Sequence, residues 1–287
     1  MIASGDDLDD GSGPVPPEAA PAPAPFAVQP TTTRPIARRL TILWVSPHDP
    51  PEKCILSWKE HHTESEGWDV RVMTNRDGWL HQDVMDALWK HAHEPDWPVM
   101  EVARLNVLSS LGGFIVAADS MCERSLSSGS SNAPDKPQTD FFTEADCVVS
   151  ALDDKAGTVG SHFVGGIRNS EFSNRCIEAL DKWCRENPWS DREGAIKLGR
   201  YLGSPLLSEV AASMLKETPT KTEKKLRVMP ARMFMPSDSK GAQVTGACPI
   251  YARHMHGREK GINGLRRWPC QCDTCRNTHS ALRSPWM

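Results

Sequence analysis

Between residues 101 and 119 lie the side chains whose types and spacing could do chemistry together. Glu101 and Arg104 stand three apart, which on a helix puts a carboxylate and a guanidinium side by side. A guanidinium is a charge-assisted hydrogen-bond donor and a carboxylate its acceptor, and on an exposed face such a pair contributes a few tenths of a kcal/mol. Asp119 follows the apolar run Phe114-Ile115-Val116-Ala117-Ala118. In open α/β sheets ligands bind beyond the carboxyl ends of strands. A carboxylate at that place suits a hard divalent cation shared with substrate phosphates.

The elements that must position these groups can be read outward from them. Apolar residues at 99, 102, 103, 107 and 111 recur at helical spacing, so Val99–Leu111 is expected to be a helix with one side on a core and Glu101 and Arg104 on another face. Gly112-Gly113 stops it where a left-handed residue is wanted. Phe114–Ala118 reads as a strand covered on both faces. Upstream, Leu40–Ser46 is expected to be the first strand, Glu52–His62 a helix entered at Pro51, Trp68–Met73 a strand and Asp83–His93 a helix. Downstream, Phe141–Leu152 and Ser161–Gly166 read as strands. Glu171–Glu186 is an amphipathic helix with Phe172, Cys176, Ile177, Leu180 and Trp183 on one side. Leu206–Leu215 is a helix, Arg227–Met235 a late strand pair and Ile250–Gly257 a last strand. Strands alternating with helices make the class α/β.

Composition bounds the rest. Residues 1–37 are rich in Pro and Ala and are expected to be a disordered tail, 38–260 one domain and 261–287 a Cys-containing tail. A net charge of −4 is too small to argue for attraction to nucleic acid or a membrane surface, and no nucleic-acid partner is expected. No apolar run is long enough to span a bilayer, and no signal-peptide pattern opens the chain, so a cytoplasmic setting is expected. Nine cysteines at irregular spacings fit reduced thiols. Cys270, Cys272 and Cys275, with Cys248 or His279, could form a zinc site, although only one Cys-x-x-Cys pair is present. His62-Thr63-Glu64 fits the His-x-Glu of zinc deaminases, but Pro-Cys-x-x-Cys is lacking. Neither a Walker-type phosphate loop nor a Gly-x-Ser-x-Gly elbow occurs.

The central stretch resembles the family 32 glycosyltransferases and is similar to the catalytic domain of glucosylating clostridial toxins. Their pattern is Ser-Asp-hydrophobic-x-Arg, a short helical run, Gly-Gly-hydrophobic-Tyr, then Asp-x-Asp. Met100–Arg104 fills the first part, Gly112–Ile115 the second, and Ala117-Ala118-Asp119 keeps only the second carboxylate of a degenerate DXD. Cys54–Trp58 is similar to the family's helix with a Ser-Trp pair, and Leu202–Leu207 to its Thr-Gly-Pro turn before a helix. The resemblance implies a GT-A-type, Rossmann-like, mostly parallel sheet with helices on both faces. It further implies retaining transfer of a hexose from a UDP- or GDP-sugar to a glycan or protein hydroxyl, as in capsular-polysaccharide biosynthesis. By resemblance Trp44 stacks on the base with Val45 beside it. Glu101 and Arg104 reach the sugar or phosphate. Asp119 holds Mn²⁺ or Mg²⁺, more weakly for want of the first carboxylate. No catalytic nucleophile is identified. An Asp at 117 would tighten cation-dependent binding if that strand end is open to solvent, and is prohibitive if it is buried. Ile115 replaces the usual aromatic residue, and Arg258-Glu259-Lys260 replaces the family's closing Ser-Trp segment. These departures fit an alternative, a glycosyltransferase fold kept as a binding or scaffold module.

Overall fold

In the computed structural model, β1 (Arg39–Leu43) is the strand from which the sheet grows in both directions. The structure describes residues 35–45, 49–74, 79–92, 96–127, 145–153, 157–217, 225–234, 252–254, 258–261 and 264–267. Outside them lie nearly all of the expected tail at 1–37, parts of the expected strands Phe141–Leu152 and Ile250–Gly257, and Cys248, Cys270, Cys272, Cys275 and His279.

From β1 the chain passes through α1 (Glu52–His61) to β2 (Asp69–Met73), which pairs parallel with β1. It then runs through α2 (Gln82–His91) and α3 (Asp96–Ser110) to β3 (Gly113–Ala117), parallel to β1 on its other side. Between these helical and extended segments, Gly112 and Gly113 take φ of +64° and +88°, the left-handed stop that the glycine pair implied. A short β4 (Ser120–Cys122) follows, then β5 (Cys147–Asp153) and β6 (Thr158–Gly166), an antiparallel pair with two register shifts. Three helices come next: α4 (Glu171–Glu186), α5 (Arg192–Tyr201) and α6 (Ser204–Lys216). β7 (Leu226–Met229) joins β5 in parallel. β8 (Ala252–His254) pairs with β4, and β9 (Arg258–Gly261) with β10 (Gly264–Arg267). The main sheet has the order β2-β1-β3-β6-β5-β7, with three parallel and two antiparallel pairings.

Strand alternation divides the apolar residues into two layers. Leu43, Val45, Ile115, Val149 and Val164 face α2 to α6. Leu40, Ile42, Trp44, Phe114 and Phe163 face α1, through Ile55 and Trp58, and the segment after β7, through Met233 and Phe234. The class is therefore α/β, a mostly parallel sheet with helices on both faces.

Three expectations are corrected. α3 presents no polar face: every residue from Trp97 to Ser109 is buried, because the sheet, α2 and α4 all pack against it. The late strand pair is one strand, β7, followed by a 3₁₀ turn at Ala231–Met233. Pro230 stands between them and has no N–H to give a ladder. The first strand leaves the ladder at Leu43, short of the expected Ser46. α5, capped by the Asp191 carboxylate accepting from the Gly194 amide at 2.7 Å, and the β9–β10 hairpin were not anticipated.

Candidate functional site

The connections reverse direction at β1. One leads to β2 on one flank, the next to β3 on the other, so the carboxyl ends of β1 and β3 mark the topological switch point of the sheet. Ligands of open α/β sheets bind at such points. Leu43 pairs with Ala117 across these strands, so Trp44-Val45 and Ala118-Asp119 leave the sheet side by side. The Trp44 amide donates to the Met73 carbonyl at 2.9 Å, extending the β1–β2 alignment past the last ladder residue.

Trp44 is 1 % exposed and lies among Ile42, Ile55 and Trp58. Val45 is buried in the opposite layer. Asp119 is fully buried, and Ala117, in the place of the missing carboxylate, is 6 % exposed. A carboxylate at 117 would be a buried one, so the prohibitive branch of the sequence expectation is the one that applies.

Glu101 and Arg104 enter from α3. Glu101 lies eleven residues before Gly112, about 16 Å along a helix, and Ala117 five residues after it, about 16 Å along a strand. The tight corner folds these two distances together and sets Glu101 near the level of the strand's end. Arg104 Nη1 donates to Glu101 Oε1, and both side chains are buried. Arg104 Nε has no hydrogen-bond partner among the described residues. The carboxyl carbon of Glu101 lies 3.3 Å from where a Cβ on Gly203 would stand. Gly203 caps α6, and the positive end of a helix favours a carboxylate beside it.

The segment after Asp119 is fastened by side chains that the sequence did not mark as site residues. Ser57 Oγ accepts from the Cys122 amide at 2.9 Å, and Trp58 Nε1 donates to the Ser120 carbonyl at 2.9 Å. His62 Nε2 accepts from the Leu126 amide at 2.9 Å, while Trp68 Nε1 donates to Ser127 Oγ at 3.0 Å. Burial holds the His62 pKa down near 4. Two of these residues, Ser57 and Trp58, are the Ser-Trp pair of the resemblance, and His62 lies four residues past Trp58 at the end of the same helix. Burial pushes the Cys122 thiol up to about 12, so it is no nucleophile at neutral pH. His162, 8 % exposed, meets Ser150 Oγ through Nε2 at 3.0 Å. Phe163 pairs with Val116, so this pair too lies toward the carboxyl end of β3.

Among the described residues no group of three or more His, Cys, Asp or Glu side chains could hold a metal ion. Nor is any helix there long and apolar enough to cross a membrane.

No family model and no curated protein matches the chain. Among solved structures it is similar to PaToxG glycosyltransferase, with 11 % identity and a TM-score of 0.41, over 66 % of this chain and 72 % of that one. It is also similar to the catalytic domain of alpha-toxin from Clostridium novyi, with 10 % identity and a TM-score of 0.34, over 66 % and 65 %. A third likeness is to a glycosyltransferase involved in glycosylation of the major capsid of PBCV-1, with 12 % identity and a TM-score of 0.34, over 77 % and 94 %. Identities and TM-scores this low do not carry an activity from one protein to another.

Proposed function

We propose that this chain binds a nucleotide sugar, a UDP- or GDP-hexose, in the crevice beyond β1 and β3, and transfers the hexose to a hydroxyl of a glycan or protein. What supports this reading is that β1 and β3 place Trp44-Val45 and Ala118-Asp119 side by side past the sheet's switch point, and that the Gly112-Gly113 corner links β3 directly to the helix that carries Glu101 and Arg104. Arg104 contributes a buried Nε–H with no described partner, a donor suited to a phosphate or sugar oxygen. Glu101 holds that guanidinium in place and has a second oxygen for a sugar hydroxyl. Trp44 and Val45 flank the base; Trp44, Val45 and Asp119 are all buried, so the site opens when it takes its ligand. Asp119 is an oxygen donor of the type that Mn²⁺ or Mg²⁺ takes, and a cation arriving with the diphosphate would neutralise the leaving group.

A second reading, a binding or scaffold module on the same fold, is favoured by Ala117, which puts a buried methyl group where a second carboxylate would stand. Thermal shift with a panel of UDP- and GDP-sugars, with Mn²⁺ and with chelator, tests the proposal. Binding is expected to raise the melting temperature, since a ligand at 100 times its Kd stabilises by about 2.7 kcal/mol. Binding without release of nucleoside diphosphate in the presence of acceptors supports the second reading. No shift with any donor overturns both.

A further inference from the structure

Resting on the nucleotide-sugar reading, we propose that His62 is a positioning residue of the site. As a neutral imidazole it fixes the segment that continues from Asp119, and its protonation lets that segment go.

The four bonds from Ser57, Trp58, His62 and Trp68 span Ser120 to Ser127, the stretch directly after Asp119. Upstream, Asp119 follows the last residue of β3, itself held by β1. The carboxylate is therefore set between a sheet on one side and this clasp on the other. Hydroxyl and indole groups do not titrate in ordinary buffers; of the four fastenings only His62 does.

Its two ring nitrogens have opposite duties. Nδ1 is 3.0 Å from the Trp58 carbonyl, which can only accept, so Nδ1 carries the proton. Nε2 faces the Leu126 N–H at 2.9 Å, which can only donate, so Nε2 is bare. One neutral tautomer satisfies both. A second proton would set N–H against N–H and break the bond to Leu126.

The surroundings favour the neutral ring. His62 is 2 % exposed, with the Trp58 ring centroid at 5.5 Å and Trp68 edge-on at 4.5 Å. Among the charged groups nearby, His61 on the same helix end opposes protonation and Glu66 on the following turn favours it; burial outweighs both. Asp69 on β2 is engaged by Arg39 and Arg71. The clasped segment itself contributes Glu123 and Arg124.

The test uses the full chain, ¹⁵N-labelled, titrated from pH 7.5 to 3.8 by two-dimensional NMR. Calorimetry at each pH uses UDP-glucose or GDP-mannose, whichever binds the wild type at pH 7.5. In the wild type the Leu126 amide resonance is expected to titrate with a midpoint near 4. The Kd should weaken about tenfold over the same range. In His62→Gln, whose side-chain carbonyl accepts at every pH, the Leu126 resonance should stay fixed and the acid loss of affinity should shrink by that factor. His62→Leu should bind about tenfold more weakly at pH 7.5 with an unchanged near-UV spectrum; if it does not fold, the comparison of Gln with wild type decides. A Leu126 resonance that does not titrate in the wild type overturns the proposal, as does an equal acid loss in His62→Gln. If the wild type binds no donor of the panel, the functional reading falls, while the Leu126 titration still decides the clasp.

Discussion

Arg104 and Glu101 are held together with side chains only 3 % and 4 % exposed. Sequence spacing made them neighbours but gave them a polar helix face; the helix has none, so their stability role and their proposed binding role have to be separated by experiment. Arg104→Ala strands a buried carboxylate and is expected to cost about 3–5 kcal/mol in urea denaturation. The double variant Glu101→Leu, Arg104→Met removes both charges. It is expected to lie within about 1–2 kcal/mol of wild type, because buried pairs replaced by apolar side chains are often neutral, yet to lose the thermal response to nucleotide sugars. A double variant that still responds would make the pair purely structural. His62 gives a pH signature. Its pKa is held near 4 in the fold against an ordinary 6.5, so the unfolded chain binds the proton first. The stability it contributes is complete above pH 6.5 and is lost as pH falls from there through 4, on the order of 3 kcal/mol in all. Denaturation of wild type and His62→Gln at pH 7 and pH 4.5 checks this: the gap between them should move in favour of Gln on acidification.

Elements with strong local signals were legible. α4 occupies the expected Glu171–Glu186 because its apolar spacing and the Ser170 cap agree, the Ser170 hydroxyl accepting from Ser173 N–H at 3.2 Å. The glycine corner was equally clear, since only a left-handed pair turns a helix so abruptly into a strand. Gly113→Ala would place a Cβ 2.5 Å from the Arg39 carbonyl oxygen at φ +88°. It is expected to lower stability by at least about 1–3 kcal/mol, measured by thermal unfolding, and an Ala variant as stable as wild type would show the corner can relax. What sequence could not give was decided by tertiary packing. Whether α3 would be a surface helix or the central one depends on α2 and α4 closing over it. The clasp on Ser120–Ser127 joins residues about 60 positions apart, |i−j| being 62 to 65 for three of its bonds, and no local pattern announces such a pairing. Asp119 stands past its strand as the apolar run implies, whereas the burial of Ala117 and Trp44, which sequence leaves open, depends on both layers being filled.

For the molecule as a whole, the domain begins earlier than the first strand: Ile36 is buried in the layer with Leu40 and Trp68. A truncation starting at Pro35 keeps that contact and is expected to melt within about 2 °C of the full chain; a larger fall would show that the removed residues contribute to stability. The strand order has a further consequence for a chain growing from the ribosome. β3 is apolar and buried throughout, yet the strand that covers its second edge, β6, starts at Thr158. At about 5–20 residues per second, the 40 residues between Ala117 and Thr158 take roughly 2–8 s to make. During that interval the nascent protein carries β1, β2 and β3 with one bare, hydrophobic edge, the kind of surface that recruits another copy or a chaperone. The two walls of the proposed crevice are thus synthesised together and early, but the sheet that holds them becomes safe from self-association only when its antiparallel half arrives.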